Sequence, residues 1–211
     1  RKMHLRQLFS KSGNRFERYS LEMEDILLDY SKNCITEPVA QHLFGLAQDM
    51  HLSLAIESMF QGLPINSTEH RAVLHTALRN RSNIPVMVNK SDIMPVINAE
   101  LQRMRLLVER IRSGDWVGYS GKPITDIINI GVGGSNLGPK MVTEALRAYA
   151  DHRIQIHFVS NVDGAHISQV LERVNPAQVL FIVTSKTFTT TETLLNAQTA
   201  RNWLLTASHD Q

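Results

Sequence analysis

Ser185-Lys186-Thr187-Phe188-Thr189-Thr190-Thr191-Glu192 sets five hydroxyls and one ammonium directly after the apolar run Val179-Leu180-Phe181-Ile182-Val183. Hydroxyls and free backbone amides at a helix start suit a terminal phosphate monoester, whose three free oxygens accept several hydrogen bonds. Part of the pattern has a plainer explanation. Thr189 with Glu192 has the S/T-x-x-E spacing of a capping box, which needs no ligand. Capping leaves Ser185, Lys186 and Thr187 unexplained, just outside an apolar strand.

A second segment has the same character. Gly131-Val132-Gly133-Gly134-Ser135-Asn136-Leu137-Gly138-Pro139 follows the β-branched run Ile124-Thr125-Asp126-Ile127-Ile128-Asn129-Ile130. Its glycines let the backbone turn sharply and come close to a ligand. Pro139 suits the first turn of a helix, where its missing N–H is not needed, and Ser135 adds a hydroxyl beside helix N-terminal amides. A dinucleotide-binding loop needs glycine at 136, where Asn136 stands, although Asp163 has the place of a ribose-binding acid. A Walker loop needs Lys-Ser/Thr after Gly138, and Pro139 excludes it. A tight strand–helix turn without a ligand accounts for this loop taken alone. Two such loops on one sheet edge favour a phosphate site. Between them, in Ser160-Asn161-Val162-Asp163-Gly164-Ala165-His166, Asp163 and His166 fit either acid–base work or a cap for the next helix.

The elements that position these loops follow from periodicity. Ile154–Val159 and Val179–Val183 read as further strands, and Pro139–Tyr149, Ala165–Val174 and Thr190–Ala207 as helices. Such alternation predicts an α/β fold, a parallel doubly wound sheet with helices on both faces. The nearly all-apolar Val179–Val183 has the composition of a strand covered on both sides. Ligands in such sheets bind beyond the carboxyl ends of the strands, where all three loops lie. Residues 1–113 read as a mainly helical N-terminal segment and 114–211 as the α/β domain, the change falling at Ser113-Gly114-Asp115. Within the first part, Leu5, Leu8 and Phe9 begin a short helix broken at Ser12-Gly13-Asn14, and Leu43 to Phe60 is an interrupted helix. Thr68-Glu69-His70-Arg71 opens another helix. Met94–Ile111 is the clearest, with Val96, Ile97, Leu101, Met104, Val108 and Ile111 on one stripe.

Composition narrows the function classes. The chain has 211 residues, 43% hydrophobic, and a net charge of +2 from interspersed charges. No basic stripe interleaved with aromatics points to nucleic acid, and no run of about 18 apolar residues points to a membrane span. Arg1-Lys2-Met3-His4 is not followed by the apolar stretch of a signal peptide. A start on Arg1 and an end at Asp210-Gln211 suggest a piece excised from a longer chain. Cys34 stands alone, so no internal disulfide forms, and His70 and His75 lack metal-ligand spacing. A cytosolic location is the corresponding expectation.

The strand-end loops closely resemble those of the glucose-6-phosphate isomerase family. The likeness is carried by Asp126 to Ser135, Val159 to Gly164, Ser185 to Thr190 and Leu74-His75-Thr76-Ala77-Leu78-Arg79-Asn80-Arg81-Ser82-Asn83, in that combination, and runs from about residue 8 to about 205. It implies a sugar-isomerase (SIS) fold, a three-layer αβα sandwich. The implied activity is interconversion of glucose 6-phosphate and fructose 6-phosphate in glycolysis and gluconeogenesis, by a cytoplasmic homodimer without a cofactor. Carried onto this sequence, the phosphate-binding residues are Gly134, Ser135, Ser185, Lys186, Thr187, Phe188, Thr189 and Thr190, with Ser185, Thr187 and Thr190 the chief side-chain donors. Asn136 stands where the family usually has Asp, Thr191 where Gln is common, and Ala165 where Thr is common. None removes a phosphate donor, while Asn136 bears on the packing beneath its loop.

The same resemblance assigns ring opening to a histidine and a lysine, proton transfer to a glutamate and charge stabilisation to an arginine. Those groups are expected C-terminal to Gln211, so no catalytic residue is assigned here and the chain alone is expected to be inactive. A non-catalytic sugar-phosphate-binding module on the same domain type is the competing reading, against which the Leu74–Asn83 segment speaks. A dinucleotide-binding oxidoreductase comes third, disfavoured by Asn136.

Overall fold

The computed structural model describes residues 4–209, so Arg1 to Met3 and Asp210-Gln211, on which the reading of the chain ends rests, lie outside the described residues. The chain forms two compact units, Arg1–Asn98 and Ala99–Gln211.

The first unit is not built from helices alone. After α1 (Leu5–Lys11) and α2 (Arg15–Arg18), β1 (Ser20–Met23) and β2 (Ile26–Asp29) pair as an antiparallel hairpin that hydrophobic alternation did not announce. Arg15 is 3% exposed beneath this region. Its guanidinium lies over the Tyr19 ring and donates to the carbonyls of Ser31, Asn33 and Ile35 at 2.7–3.0 Å, so backbone dipoles solvate the buried cation. The interrupted helix is two helices, α3 (Glu37–Asp49) and α4 (Leu52–Phe60), parted where His51 turns left-handed at φ 53°.

The helix expected from Thr68 does not form. Asn66 Oδ1 accepts from the Thr68 hydroxyl at 2.8 Å and the Glu69 amide at 3.1 Å, His70 is left-handed at φ 52°, and Asn66 bridges to Arg71. The left-handed His70 and the Asn66–Arg71 bridge turn the chain back on itself one turn after Asn66, where a helix would have had to continue. Only a 3₁₀ turn, Ala77–Arg79, survives of it. A second small hairpin, β3 (Met87–Val88) with β4 (Ser91–Asp92), follows, and Ala77, Val86, Met94 and Ile97 form the unit's core.

Helix α5 (Met94–Ser113) forms as its periodicity predicts, but of its stripe Ile97 and Ile111 are buried while Val96, Leu101, Met104 and Val108 are exposed. The second unit then alternates β5 (Asp126–Ile130), α6 (Gly134–Ala145), β6 (Gln155–Val159), α7 (Gly164–Leu171), β7 (Val179–Val183) and α8 (Thr191–His209). The strands are parallel in the order β6-β5-β7, with Ile130 in register with Val159 and Val183. Because β6 and β7 flank β5, right-handed crossovers send α6 to one face and α7 to the other, where α8 packs against it. The result is the expected layered, doubly wound α/β architecture.

The two faces are closed to different degrees. On the α7–α8 face, Ile128, Ile130, Val159 and Val179 meet Ile167, Leu171, Val174 and Ala200, with Phe181 edge-on to Trp203. On the other face Ile156 and Ile182 are each 45% exposed, and α6 buries Asn136 while Leu137, Met141, Val142 and Leu146 are exposed. The expectation that Val179–Val183 is covered on both sides therefore holds in part: toward α7 and α8 Val179 is buried and Phe181 and Val183 are half-buried, while Ile182 on the other side is exposed.

Candidate functional site

All three strands of the second unit end at the same edge, so the loops after β5, β6 and β7 are neighbours there. The first leaves β5 through Gly131, which is the point of closest approach. A Cβ on it would lie 2.9 Å from Ser135 Cβ, 3.0 Å from the Ser135 carbonyl oxygen and 3.0 Å from that of Thr184. Two backbone oxygens, one from each loop, thus flank a residue that has no side chain. The Thr184 amide also donates to the Ile130 carbonyl at 2.8 Å, extending the β5–β7 pairing into the loop. Gly133 then takes φ 55° and ψ −125°, a conformation side-chain-bearing residues avoid, and α6 begins at Gly134.

This start corrects the reading of Pro139. It is not in the first turn but inside α6, five residues beyond Gly134. The helix starts earlier because the glycine-rich segment itself is helical. Gly134 is exposed at its first position, Ser135 is half-buried, and Asn136 is 6% exposed with an Oδ1 that has no hydrogen-bond partner.

The loop after β7 is organised by its own hydroxyls. Ser185 Oγ accepts from the Phe188 amide at 3.2 Å and lies 3.4 Å from Thr190 Oγ1; Thr187 and Thr189 hydroxyls are 2.6 Å apart. Phe188 is left-handed at φ 55° and exposed, closing the turn that returns the chain to α8. Ser185 and Thr190 are half-buried; Lys186, Thr187 and Thr189 are exposed. The capping box expected from Thr189 and Glu192 does not form. Helix α8 begins at Thr191 and its first bond runs from the Leu194 amide to the Thr190 carbonyl, so Thr190 holds the cap position. Thr189 is engaged with Thr187, and Glu192 falls one place short of the position a capping box needs.

The loop after β6 is capping chemistry, one of the two roles its sequence allowed. Asp163 Oδ1 accepts from the Ala165 amide at 2.9 Å at the start of α7. The buried Asn196 of α8 donates to the Asn161 carbonyl at 2.8 Å and ties this loop down.

The site is therefore a set of loops at the strand ends, rich in hydroxyls and helix-start amides, with Lys186 as the lysine or arginine they carry. Such a surface can hold a compact anion by hydrogen bonding. Two concavities of about 580 and 540 Å³ lie in the first unit, and neither is lined by a residue of these loops. Among the described residues no group of three or more His, Cys, Asp or Glu side chains is arranged to hold a metal ion, and no helix is long and apolar enough to cross a membrane.

Two residues of the site were not singled out from the sequence, Asn129 and Thr184. The only available signal was an amide-bearing side chain inside the apolar run Ile127–Ile130.

A family model described as phosphoglucose isomerase matches residues 29–211. Among solved structures, a glucose-6-phosphate isomerase from Chlamydia trachomatis is similar at 27% identity and a TM-score of 0.72, over 94% of this chain and 38% of that one. A hypothetical protein from Thermus thermophilus matches at 25% identity and a TM-score of 0.41, over 50% of this chain and 23% of that one. The chain thus spans 38% of the length of the isomerase it matches over nearly all of its own.

Proposed function

Because this chain belongs to the phosphoglucose isomerase family, we propose that it supplies the phosphate cradle of an enzyme interconverting glucose 6-phosphate and fructose 6-phosphate. The observation that carries this reading is the meeting of the β5 and β7 loops across Gly131. Gly134 and Ser135 offer the start of α6, and Ser185 to Thr190 the turn before α8. Two helix N-termini directed at one strand-end region favour an anion there. The paired hydroxyls, Ser185 with Thr190 and Thr187 with Thr189, keep their oxygens clustered before any ligand arrives. Each needs only a rotation about its C–O bond to turn its hydrogen toward a phosphate oxygen.

Gripping the phosphate fixes one end of the sugar, while the isomerisation moves a proton between C1 and C2 at the other. The base must come within about 3 Å of that hydrogen, directly or through one water. Asp163 caps α7, and Glu192 lies in the first turn of α8. Neither is assigned a catalytic role, and this chain by itself binds without turning over. The whole enzyme is read as a cytoplasmic homodimer of glycolysis and gluconeogenesis that needs no cofactor. The match over residues 29–211, which includes Leu74–Asn83, favours the isomerase over a non-catalytic sugar-phosphate-binding module.

Titration calorimetry with glucose 6-phosphate tests the cradle. Ser185→Ala with Thr187→Ala is expected to weaken binding by about 1–3 kcal/mol, the scale of charge-assisted hydrogen bonds. Equal affinity in the double variant and the unsubstituted chain would remove these residues from the site.

A further inference from the structure

Asn129 sits buried in the middle strand, the residue 6% exposed, and both ends of its carboxamide are used. Nδ2 donates to the Ser135 carbonyl at 3.1 Å, in the loop after β5. Oδ1 accepts from the Thr184 hydroxyl at 3.0 Å, at the root of the loop after β7. A carbonyl can only accept, so the contact with Ser135 sets which end of the amide faces which loop, and the hydroxyl donates to what remains.

The Ser135 carbonyl needs this donor for a covalent reason. In a helix it would accept from the amide four residues on, and that residue is Pro139, which has no N–H. A carbonyl in this place, close against Gly131, is left short of a partner by the sequence of its own helix. Asn129 supplies the partner from the strand beneath and holds Thr184 with its other end.

We propose that Asn129 is a positioning residue that sets the spacing of the two phosphate-binding loops, with Pro139 making α6 dependent on it. The proposal rests on the cradle reading above. Asn129 touches no substrate in it. Its effect is to keep Ser135 and Ser185 at a separation that one phosphate group bridges.

Pro139 provides a specific test in the full 211-residue chain. Thr184→Val cuts the tie to β7 and leaves the bond to Ser135, whereas Asn129→Leu cuts both at similar volume. Each is expected to weaken binding of inorganic phosphate and glucose 6-phosphate by about tenfold, the scale of a lost buried hydrogen bond. Pro139→Ala restores an amide opposite the Ser135 carbonyl. It should recover part of the loss in Asn129→Leu and none of the loss in Thr184→Val. Amide hydrogen exchange gives a readout without ligand: Thr184→Val should speed exchange in residues 133–137 as well as in 184–190, although Thr184 makes no hydrogen bond to the former. Exchange confined to 184–190, unchanged phosphate affinity in both variants, or equal rescue of both by Pro139→Ala would overturn the proposal. Absence of phosphate binding by the unsubstituted chain would instead refute the cradle reading, and the exchange experiment would still decide whether Asn129 couples the loops. If Asn129→Leu does not fold, Thr184→Val alone carries the binding and exchange tests.

Discussion

A single methyl group at position 131 would have to enter the space where the two loops meet. Gly131→Ala places it 2.9 Å from Ser135 Cβ and 3.0 Å from the carbonyl oxygens of Ser135 and Thr184. Relaxed carbon contacts lie at about 3.5–4.0 Å, so the neighbours must retreat by several tenths of an ångström. Neither oxygen is the end of a flexible side chain. One belongs to the first turn of α6 and is held by Asn129, and the other directly follows β7, so the substitution must move backbone. Overpacking of this kind costs about 1–3 kcal/mol, which for a chain of this size lowers the melting midpoint by about 4–8 °C at the middle of that range. Gly45→Ala is the matched control. Gly45 lies inside α3, followed by Leu46 rather than a proline, with nothing outside its own helix backbone and chain neighbours within 4 Å of an added Cβ, so removing a helical glycine there should stabilise by about 0.5–1 kcal/mol. The two substitutions are chemically identical and are expected to act with opposite sign. Thermal unfolding of both, with phosphate titration of Gly131→Ala, is the assay. A Gly131→Ala chain as stable as the unsubstituted one would refute the steric reasoning. One that is destabilised yet binds phosphate unchanged would show that loop spacing does not govern the site.

Recognition by hydrogen bonds rather than charge predicts that Lys186→Met weakens glucose 6-phosphate binding less than Thr190→Val does, with both variants checked for folding by circular dichroism; the reverse order would mark the site as Coulombic. The purified chain is expected not to accelerate deuterium exchange at C2 of glucose 6-phosphate in heavy water. Exchange above the protein-free rate that disappears in Glu192→Gln or Asp163→Asn would relocate the base into this chain. Away from the cradle, hydrogen bonding from the Arg153 side chain holds the Asp151 carboxyl down at about 2, against an ordinary 3.8. A depressed folded-state value means that this pair supports the fold above pH 3.8 and is lost as pH falls toward 2. Because Arg153 also donates to the Arg112 carbonyl at 2.7 Å, acid should loosen the end of α5 in that window, and Arg153→Gln should abolish the pH dependence of amide protection there, measured against the intrinsic exchange rate at each pH.

What could be read from the residues alone was local. Strands β5 and β7 were legible because a buried strand needs an apolar run, β6 because Ile154 to Val159 alternates apolar and polar residues before ending on Phe158-Val159, and the glycines and hydroxyls after them because sharp turns and anion binding need those residue types. The start of α1 and the cap at Asp163 were legible for the same reason: their partners lie within a few residues. What sequence reading misplaced was decided at long range. Pro139 is at home inside α6 only because Asn129, on another element, serves the carbonyl that the proline cannot. The single residue by which α8 starts late shifts Thr190 rather than Thr189 into the cap, and the turn through Phe188 sets that start. The segments flanking the hairpin of β1 and β2 meet at the buried Arg15, whose carbonyl partners lie 16 to 20 residues away. Asn129 and Thr184 are 55 residues apart, and nothing in either's neighbourhood announces the other. A polar group's local sequence states only that it needs a partner; which partner it receives is settled when strands from distant parts of the chain come into register.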